Sequence, residues 1–514
     1  MKGFRASLFV AFAVVASVLF AYAFGQQRST AGAAEREVLE PRATIDYSGR
    51  EAGAPPSIQS TLQTLRDDLT AKRIEVLGEQ VTFQVGYTTA LDVPLERLAG
   101  TRKPPDLQTT AVRQNALAQR LLKVDEAARE KFVKARPTVV VPELVVLPKC
   151  SAAARTFDWR AFNKVTPVRN QGGCGSCWAF ATLGSYEGSY LIRNNKTADG
   201  AEQQVLNCSG AGTCAGGWWA FGSLIPTGTA TEASYPYTAN DLPCKSQIAT
   251  PLHAVTWGYV KSDGGIPSQS EMKQALCKHG PLAVAVRVTP TFQAYTSGVF
   301  NENDQGAINH GVTLIGWDDD KGAWLIKNSW GTGWGLGGYM WIAFGSNRIG
   351  DGAAWTQAKA DAYSIEDCIS FDPTRTEVRR IQNRWKIVVG NMWLKDFGSN
   401  EREARQALKI IKQYRFNRQC FVGRPDPSME YYAVGSQAPA GSMTGEDCVS
   451  YNPNNIDVNQ VQGRWKIVDG NHWIADFGAE EDEAWLALAL MKKYGFTRNC
   501  FVGRPDPSMT YSRR

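Results

Sequence analysis

Histidine is scarce in this chain, with four residues in 514. Any reaction that needs an imidazole base has few positions to choose from. Charge of one sign is lacking too: 56 Lys and Arg stand against 50 Asp and Glu, and the net charge of +6 is spread along the chain. That balance gives no case for nucleic acid as a partner. Beyond residue 24 no apolar run is long enough to span a bilayer. Cysteine is missing from residues 26–149, which sets that stretch apart.

What is present describes a folded, soluble, multidomain protein. Hydrophobic residues make up 43% and charged residues 21%, and the length exceeds what one ordinary core accommodates. Eleven cysteines favour an oxidising compartment. Lys2 and Arg5 precede an apolar run from Ala6 to Phe24, with small residues offering cleavage after Ala23 or Gly25. Residues 1–25 therefore read as a secretory signal peptide, and an uncleaved membrane anchor is the alternative. Either way the chain leaves the cytoplasm.

Residues 26–152 form a first unit by texture. Ser57 to Glu79 and Thr110 to Ala135 show helical spacing, with Leu62, Leu65 and Leu69 on one face. Thr82 to Tyr87 alternates like a strand, and the prolines at 137 and 142 keep the stretch between them extended. From residue 153 to 362 the chain turns dense in Gly, Trp and Cys. Two repeats follow, at 366–435 and 446–514, with a period of 80. Arg384 to Val388 returns at Arg464 to Val468, and Phe421 to Met429 returns unchanged at Phe501 to Met509. Each unit reads as a hairpin turning at Gly390-Asn391 or Gly470-Asn471, then a helix, then a strand. Ala433 to Gly445 is the linker.

An odd cysteine count leaves one thiol over. Repeat symmetry pairs Cys368 with Cys420 and Cys448 with Cys500, so seven remain in or beside the middle domain. Cys174 and Cys177, in Gln171-Gly-Gly-Cys-Gly-Ser-Cys-Trp-Ala-Phe180, admit three readings. A redox pair would not expect so many neighbouring cysteines. A zinc site with Cys208 and Cys214 has the wrong second spacing, and free thiolates oxidise outside the cell. The third reading separates the two: Cys174 is bridged elsewhere, and Cys177 stays free at a helix start, where the dipole and unpaired N–H groups acidify a thiol.

A base for that thiol follows nearly by elimination. His472 has Met392 at the equivalent position of the other repeat, His279 precedes Gly280-Pro281, and His253 lies in an ordinary strand-like run. His310 instead opens the apolar strand Asn309 to Trp317, and a second strand from Ala323 follows an acidic turn. A hairpin would bring Asn328 beside His310 to fix the ring, with Trp330 shielding the bond from water.

In these residues the sequence resembles the papain-like cysteine peptidases. The resemblance rests on Gln171 with Cys177, Asn309-His310-Gly311, and Asn328-Ser329-Trp330-Gly331-Thr332-Gly333-Trp334-Gly335. Phe157-Asp158-Trp159-Arg160, Glu202-Gln203, Cys214 with Gly216-Gly217, and Tyr235-Pro236-Tyr237 add to it, in family order. It implies an α+β domain with a helical left lobe and a β-barrel-like right lobe; by the residue reading above, a mixed pro-segment precedes that domain and two small disulfide-linked α+β repeats follow it. It also implies Cys177 as nucleophile, His310 as general base and acid, Asn328 as orienting residue, and an oxyanion hole from the Gln171 amide and the Cys177 N–H. The chemistry is peptide hydrolysis through a thioester, with no cofactor and no metal. The same resemblance pairs Cys174 with Cys214 and Cys208 with Cys244.

Gly216 and Gly217 would pair with an extended substrate. Trp218 and Trp219 would flank the pocket for the second residue before the scissile bond, with Thr356 near its base. Those tryptophans either favour apolar or small side chains or merely pack the cleft wall. The family's third bridge is missing, because Asp351 stands at one of its positions; Cys150 and Cys277 are left to pair with each other. Residues 26–152 lack the family's Glu-Arg-Phe-Asn helix pattern and are a propeptide by position alone.

The repeats resemble no known family. Trp385, Trp393, Phe397, Tyr414 and Phe416 are expected to fill a small core around one disulfide; exposed, they would contact carbohydrate or a cell surface. Residues 366–435 carry 13 basic and 9 acidic side chains, and residues 446–514 carry 8 and 10, so the net charge changes sign and a shared phosphate site is excluded. The expectation is a secreted cysteine endopeptidase acting on proteins or peptides, made as a zymogen, with the repeats as accessory modules. An exopeptidase and a catalytically silent binding protein are the alternatives.

Overall fold

A computed structural model describes residues 46–514. The expected signal sequence at 1–25 lies outside the described residues. Among the described residues no helix is long and apolar enough to cross a membrane.

The N-terminal segment opens with a short helix, Tyr47–Ala52, followed by helix α1 (Pro56–Thr70), which has proline in its first turn. It ends well before Glu79, the limit expected from the sequence. Lys72 takes a left-handed φ of 55°, and the backbone beyond is engaged elsewhere: Val76 bridges to Glu302 and Leu77 N–H donates to the Asn301 carbonyl. Strand β1 (Phe83–Val85) then adds to the edge of the main sheet. A passage holding a 3-10 turn (Thr89–Asp92) and one helical turn (Leu95–Leu98) leads to helix α2 (Leu107–Ala135), whose buried stripe is Leu107, Ala111, Ala118, Leu121, Leu122 and Asp125.

The middle domain is α+β, and helix α3 (Cys177–Asn194) is its central element, buried along nearly its whole length. Such burial needs close approach. A Cβ on Gly184 would stand 2.2 Å from Thr313 Oγ1, and one on Gly188 would stand 2.5 Å from Pro281. Helix α4 (Glu202–Cys208) and helix α5 (Gln269–His279) complete the helical parts. The strands are β2 (Thr156–Asp158), β3 (Ala254–Tyr259), β4 (Leu282–Val286), β5 (Tyr295–Phe300), β6 (His310–Asp318), β7 (Ala323–Lys327), β8 (Tyr339–Ala343) and β9 (Asp351–Ala358). They lie in the order β1-β5-β8-β7-β6-β4-β9-β3, with β2 beside β6. Among these strand pairings of the described residues, β5–β8 alone is parallel. One face packs Val284, Val286, Val312 and Leu314 against Trp317, Trp324 and Trp334. The other turns Ala283, Ala285 and Ala354 toward α3, Trp218 and Trp219.

The repeats fold as an interlocked pair. The first contains β10 (Asp367–Ser370), β11 (Thr376–Ile381), β12 (Arg384–Val389), β13 (Met392–Asp396), helix α6 (Glu401–Tyr414), β14 (Arg418–Val422) and β15 (Met429–Ala433). The second contains β16 (Asp447–Ser450), β17 (Ile456–Val461), β18 (Arg464–Asp469), β19 (His472–Asp476), helix α7 (Glu481–Tyr494), β20 (Arg498–Val502) and β21 (Met509–Arg513). Each makes two three-stranded sheets, β11-β12-β13 and β10-β14-β15 in the first unit and β17-β18-β19 and β16-β20-β21 in the second. The expected small core within each unit is not what forms. Helix α6 buries Ala407, Ile410 and Ile411 with Val502, Met509 and Tyr511 of the second unit. Helix α7 buries Leu490, Met491 and Tyr494 with Val422 and Tyr431 of the first. A unit this small gains a full core only by sharing. Of the five aromatics named above, Phe397, Tyr414 and Phe416 are buried, whereas Trp393 is exposed. Ala433 ends a strand and is buried, so the linker starts one residue later than expected.

Candidate active site

His310 opens β6, and antiparallel pairing of β6 with β7 sets Thr313 opposite Lys327. Asn328, one residue past β7, therefore meets the start of β6. Its Oδ1 lies 2.8 Å from His310 Nε2 and also accepts from the Ser329 N–H at 2.8 Å. The Ser329 N–H identifies this atom as the amide oxygen, which can only accept, so Nε2 carries the ring proton facing it. The Trp330 ring sits 4.7 Å from the imidazole, centroid to centroid, and both are buried. Shielded in this way, the bond fixes one tautomer and leaves Nδ1, which has no hydrogen-bond partner among the described residues, for the thiol.

Cys177 is the first residue of α3 and the free cysteine among the described residues. Burial pushes its thiol up, but the His310 imidazole, the Thr101 hydroxyl and the Gly100 N–H outweigh that and bring it down to about 7. A thiol held there is half ionised near neutral pH. Gln171 is locked beside it: its Oε1 accepts from Ser329 Oγ at 2.7 Å, and its Nε2 donates to the Cys174 carbonyl at 2.8 Å.

The N-terminal segment runs through this site. Gln171 Nε2 also donates to the Leu98 carbonyl at 3.0 Å. Gly100 N–H and Thr101 Oγ1 lie 3.3 and 3.2 Å from Cys177 Sγ. Gly217 N–H donates to the Gly100 carbonyl at 2.8 Å, and Arg102 N–H donates to the Gly217 carbonyl at 2.9 Å, giving a parallel bridge between Thr101 and Gly217. A free thiol at a helix start, an imidazole, an orienting amide and a second amide therefore converge on one cleft, and an extended stretch of the chain lies across them.

The sequence model of the papain family cysteine proteases matches residues 153–359. Digestive cysteine proteinase 1 of Homarus americanus is 36% identical over 225 residues, which cover 41% of this chain and 68% of the relative. Digestive cysteine proteinase 2 of the same organism is 37% identical over 225 residues, covering 41% and 69%. Ananain of Ananas comosus is 35% identical over 218 residues, covering 41% of this chain and 61% of the relative. The chain belongs to the papain family of cysteine proteases. It is a cysteine-type peptidase, and its two C-terminal repeats lie beyond the family match.

Around this papain-family centre the other named residues take these places. Trp218 and Trp219 stack at 4.6 Å; the first donates to Tyr259 Oη at 2.9 Å and the second to the Gly352 carbonyl at 2.8 Å. Thr356 is buried with its hydroxyl donated to the Thr256 carbonyl. Gly216 and Gly217 pair with Thr213 and Gly212 in a two-residue ribbon. Disulfides join Cys150 to Cys277, Cys174 to Cys214, Cys208 to Cys244, Cys368 to Cys420 and Cys448 to Cys500. His279 stacks 3.9 Å from Trp355, and burial holds it well below the usual imidazole range. His253 is also lowered, by burial first.

Sequence reasoning passed over several participants. Ser329 and Tyr237 secure Gln171, the latter by donating to its carbonyl at 2.9 Å; both lie inside motifs already quoted. Leu98, Gly100 and Thr101 gave no signal beyond a lone glycine in an otherwise unpatterned stretch. That glycine is obligatory, because a Cβ on Gly100 would stand 1.7 Å from the Gly175 carbonyl oxygen.

Proposed function

We propose that the chain is a secreted endopeptidase made as a zymogen, with residues 26–152 as its propeptide. The observation that carries this reading is the passage of residues 98–102 across Cys177, paired through backbone with Gly217 and seated on the Gln171 amide. A substrate carbonyl would take the place of the Leu98 carbonyl. The Cys177 thiolate then attacks the carbonyl carbon, and the oxygen gains charge that the Gln171 amide and the Cys177 N–H receive. His310 Nδ1, protonated in the ion pair, gives its proton to the leaving amine as the C–N bond breaks. Water, deprotonated by the same nitrogen, adds to the thioester, and the acid leaves with the thiolate restored. Secretion is supported by the signal-like residues 1–25 and by five disulfides.

For the repeats the reading is an accessory binding role toward carbohydrate or a cell surface. Trp393 and Trp473 support it: they are exposed at equivalent positions, with Lys386 and Lys466 ammonium groups 4.6 and 4.9 Å over their rings.

The deciding experiment compares the processed full-length chain with Cys177→Ser on an internally quenched peptide, before and after thiol alkylation. Turnover abolished by both changes is the expected result. Turnover that survives the serine variant refutes the reading.

A further inference from the structure

Asp351 is fully buried, and both of its carboxylate oxygens are taken by cations. Lys103 Nζ lies 2.6 Å from Oδ1 and Arg348 Nη2 lies 2.6 Å from Oδ2. The two partners differ in origin. Arg348 belongs to the turn before β9. Lys103 belongs to the stretch that fills the cleft, two residues beyond the Thr101 that pairs with Gly217. A Lys side chain carried by an extended peptide is therefore seated on this carboxylate.

The sheet shows what lies between Asp351 and the catalytic cleft. Asp351 pairs with Ala285, and Ala285 pairs with Gly311. Directly opposed residues on neighbouring strands point to the same face, so Gly311, Ala285 and Asp351 form one row across β6, β4 and β9. Thr101 stands at the Gly311 end: a Cβ there would be 2.9 Å from its hydroxyl and 3.0 Å from the Trp219 ring. Trp219 in turn donates to the carbonyl of Gly352, next to Asp351. Two small residues thus lie between the Thr101 hydroxyl and the carboxylate, with Trp219 beside the row, and a side chain laid along it would follow a track from Gly311 to Asp351. At about 4.8 Å per strand the track is ~10 Å long, the reach of an extended Lys or Arg side chain together with its hydrogen bond.

We infer that Asp351 is a specificity determinant: with residues 98–104 out of the cleft, it receives the ammonium or guanidinium of a substrate Lys or Arg at the second position before the scissile bond. The residue that faces Gly217, as Thr101 does here, roots its side chain at the Gly311 end of the track. Arg348 remains on the far oxygen and keeps the near one aimed along it. The inference rests on the peptidase reading above and replaces the apolar or small preference that the two tryptophans alone suggest. A Leu or Phe in the track would leave a buried carboxylate oxygen without a donor, whereas a cation satisfies it.

The test uses the full-length chain, processed until Cys177 reacts with a thiol alkylator. Three quenched peptides differ only at the second residue before the cleaved bond: Lys, Arg or norleucine, the last matching the Lys stem without its charge. The expected kcat/KM for Lys and Arg exceeds that for norleucine by ~10–100-fold, the worth of a charge-assisted hydrogen bond. In Asp351→Asn the ratio falls toward one. Because Arg348 leans on Asp351, the wild-type comparison stands alone if the variant fails to fold. Equal rates on all three peptides overturn the inference and leave the peptidase reading intact. So does a cation preference that Asp351→Asn does not alter. A protein that titrates with the alkylator yet cleaves none of the three loses both readings together.

Discussion

The carbonyl oxygen of Leu98 accepts a hydrogen bond from the side-chain amide of Gln171. That amide is held by Ser329, while Tyr237 donates to the Gln171 backbone carbonyl, and on the peptidase reading proposed above it is the one a substrate oxygen would need. The N-terminal segment therefore uses the donors of the site rather than only covering them. Gly217 and Cys177 are engaged in the same way, by Gly100 and Thr101. On the zymogen reading, this set of hydrogen bonds between the N-terminal segment and the residues proposed to receive substrate is what would restrain the site.

Gly100 is the weak point of that arrangement. Any side chain there meets the Gly175 backbone at 1.7 Å, and backbone cannot give way as a flexible side chain can. Overpacking of this kind costs ~1–3 kcal/mol. Gly100→Ala is expected to raise the alkylation rate of Cys177 in the intact chain by ~10–100-fold. A pulse with a chromogenic thiol reagent measures it; an unchanged rate refutes the idea that Gly100 keeps the sulfur covered.

The thiol and the imidazole make a second quantity measurable. With the segment in place, Cys177 should ionise with a midpoint about 7, seen as thiolate absorbance in the ultraviolet. Burial alone would move that midpoint upward, and His310 is the first of the groups that oppose it. His310→Ala leaves burial with less opposition, so the midpoint rises above its native value. A midpoint that stays put would mean the imidazole does not act on the sulfur.

Arg193 fastens the N-terminal segment from the opposite side of α3. Its guanidinium is buried between Asp125 at 2.8 Å and Glu143 at 2.7 Å, both carried by that segment, with Tyr363 Oη at 2.8 Å. Removing the cation leaves buried Asp125 without its ion-pair partner and Glu143 with the Arg129 cation alone, at 3.3 Å. Such breaks cost ~3–5 kcal/mol. Arg193→Met is therefore expected to make α2 the first element to lose hydrogen-exchange protection, while the protection of β6 and β7 is kept. Uniform loss across the chain would instead mark a general folding defect.

Much of the site was legible because its residues sit in short motifs with fixed spacing. Asn328 could be placed beside His310 because a hairpin carries one strand back along the other, and period-80 symmetry was enough to pair Cys368 with Cys420. The N-terminal segment was not legible. Its helix stops at Thr70 because residues 76–83 bond to the loop and strand around Asn301 and Gly298, contacts that leave no periodic trace. The interlocked repeats were opaque for a related reason. A buried face on α6 announces itself through Ala404, Ala407, Ile411 and Tyr414, but the pattern cannot say which of two nearly identical sheets it will cover.

That exchange carries the last prediction. Tyr414 donates to Glu446 at 2.6 Å, and Glu446 also receives Tyr511 and Arg513. At the equivalent place Tyr494 donates to Glu366 at 2.9 Å, where Lys493 and Arg418 also bind. Each unit thus supplies a carboxylate to the other's helix, and each helix completes the other's core. A chain ending at residue 445 would strip Val502, Met509 and Tyr511 from α6 and leave Val422 and Tyr431 without α7. It would also remove Glu481, the ion-pair partner of Arg120 on α2, and Trp485, over which that guanidinium sits at 5.0 Å. The remaining unit should therefore be cut rapidly within residues 366–435 by a broad protease, although it keeps its Cys368–Cys420 bridge, and α2 should exchange its amides faster. Resistance equal to that of the intact chain would show that one unit holds a core of its own.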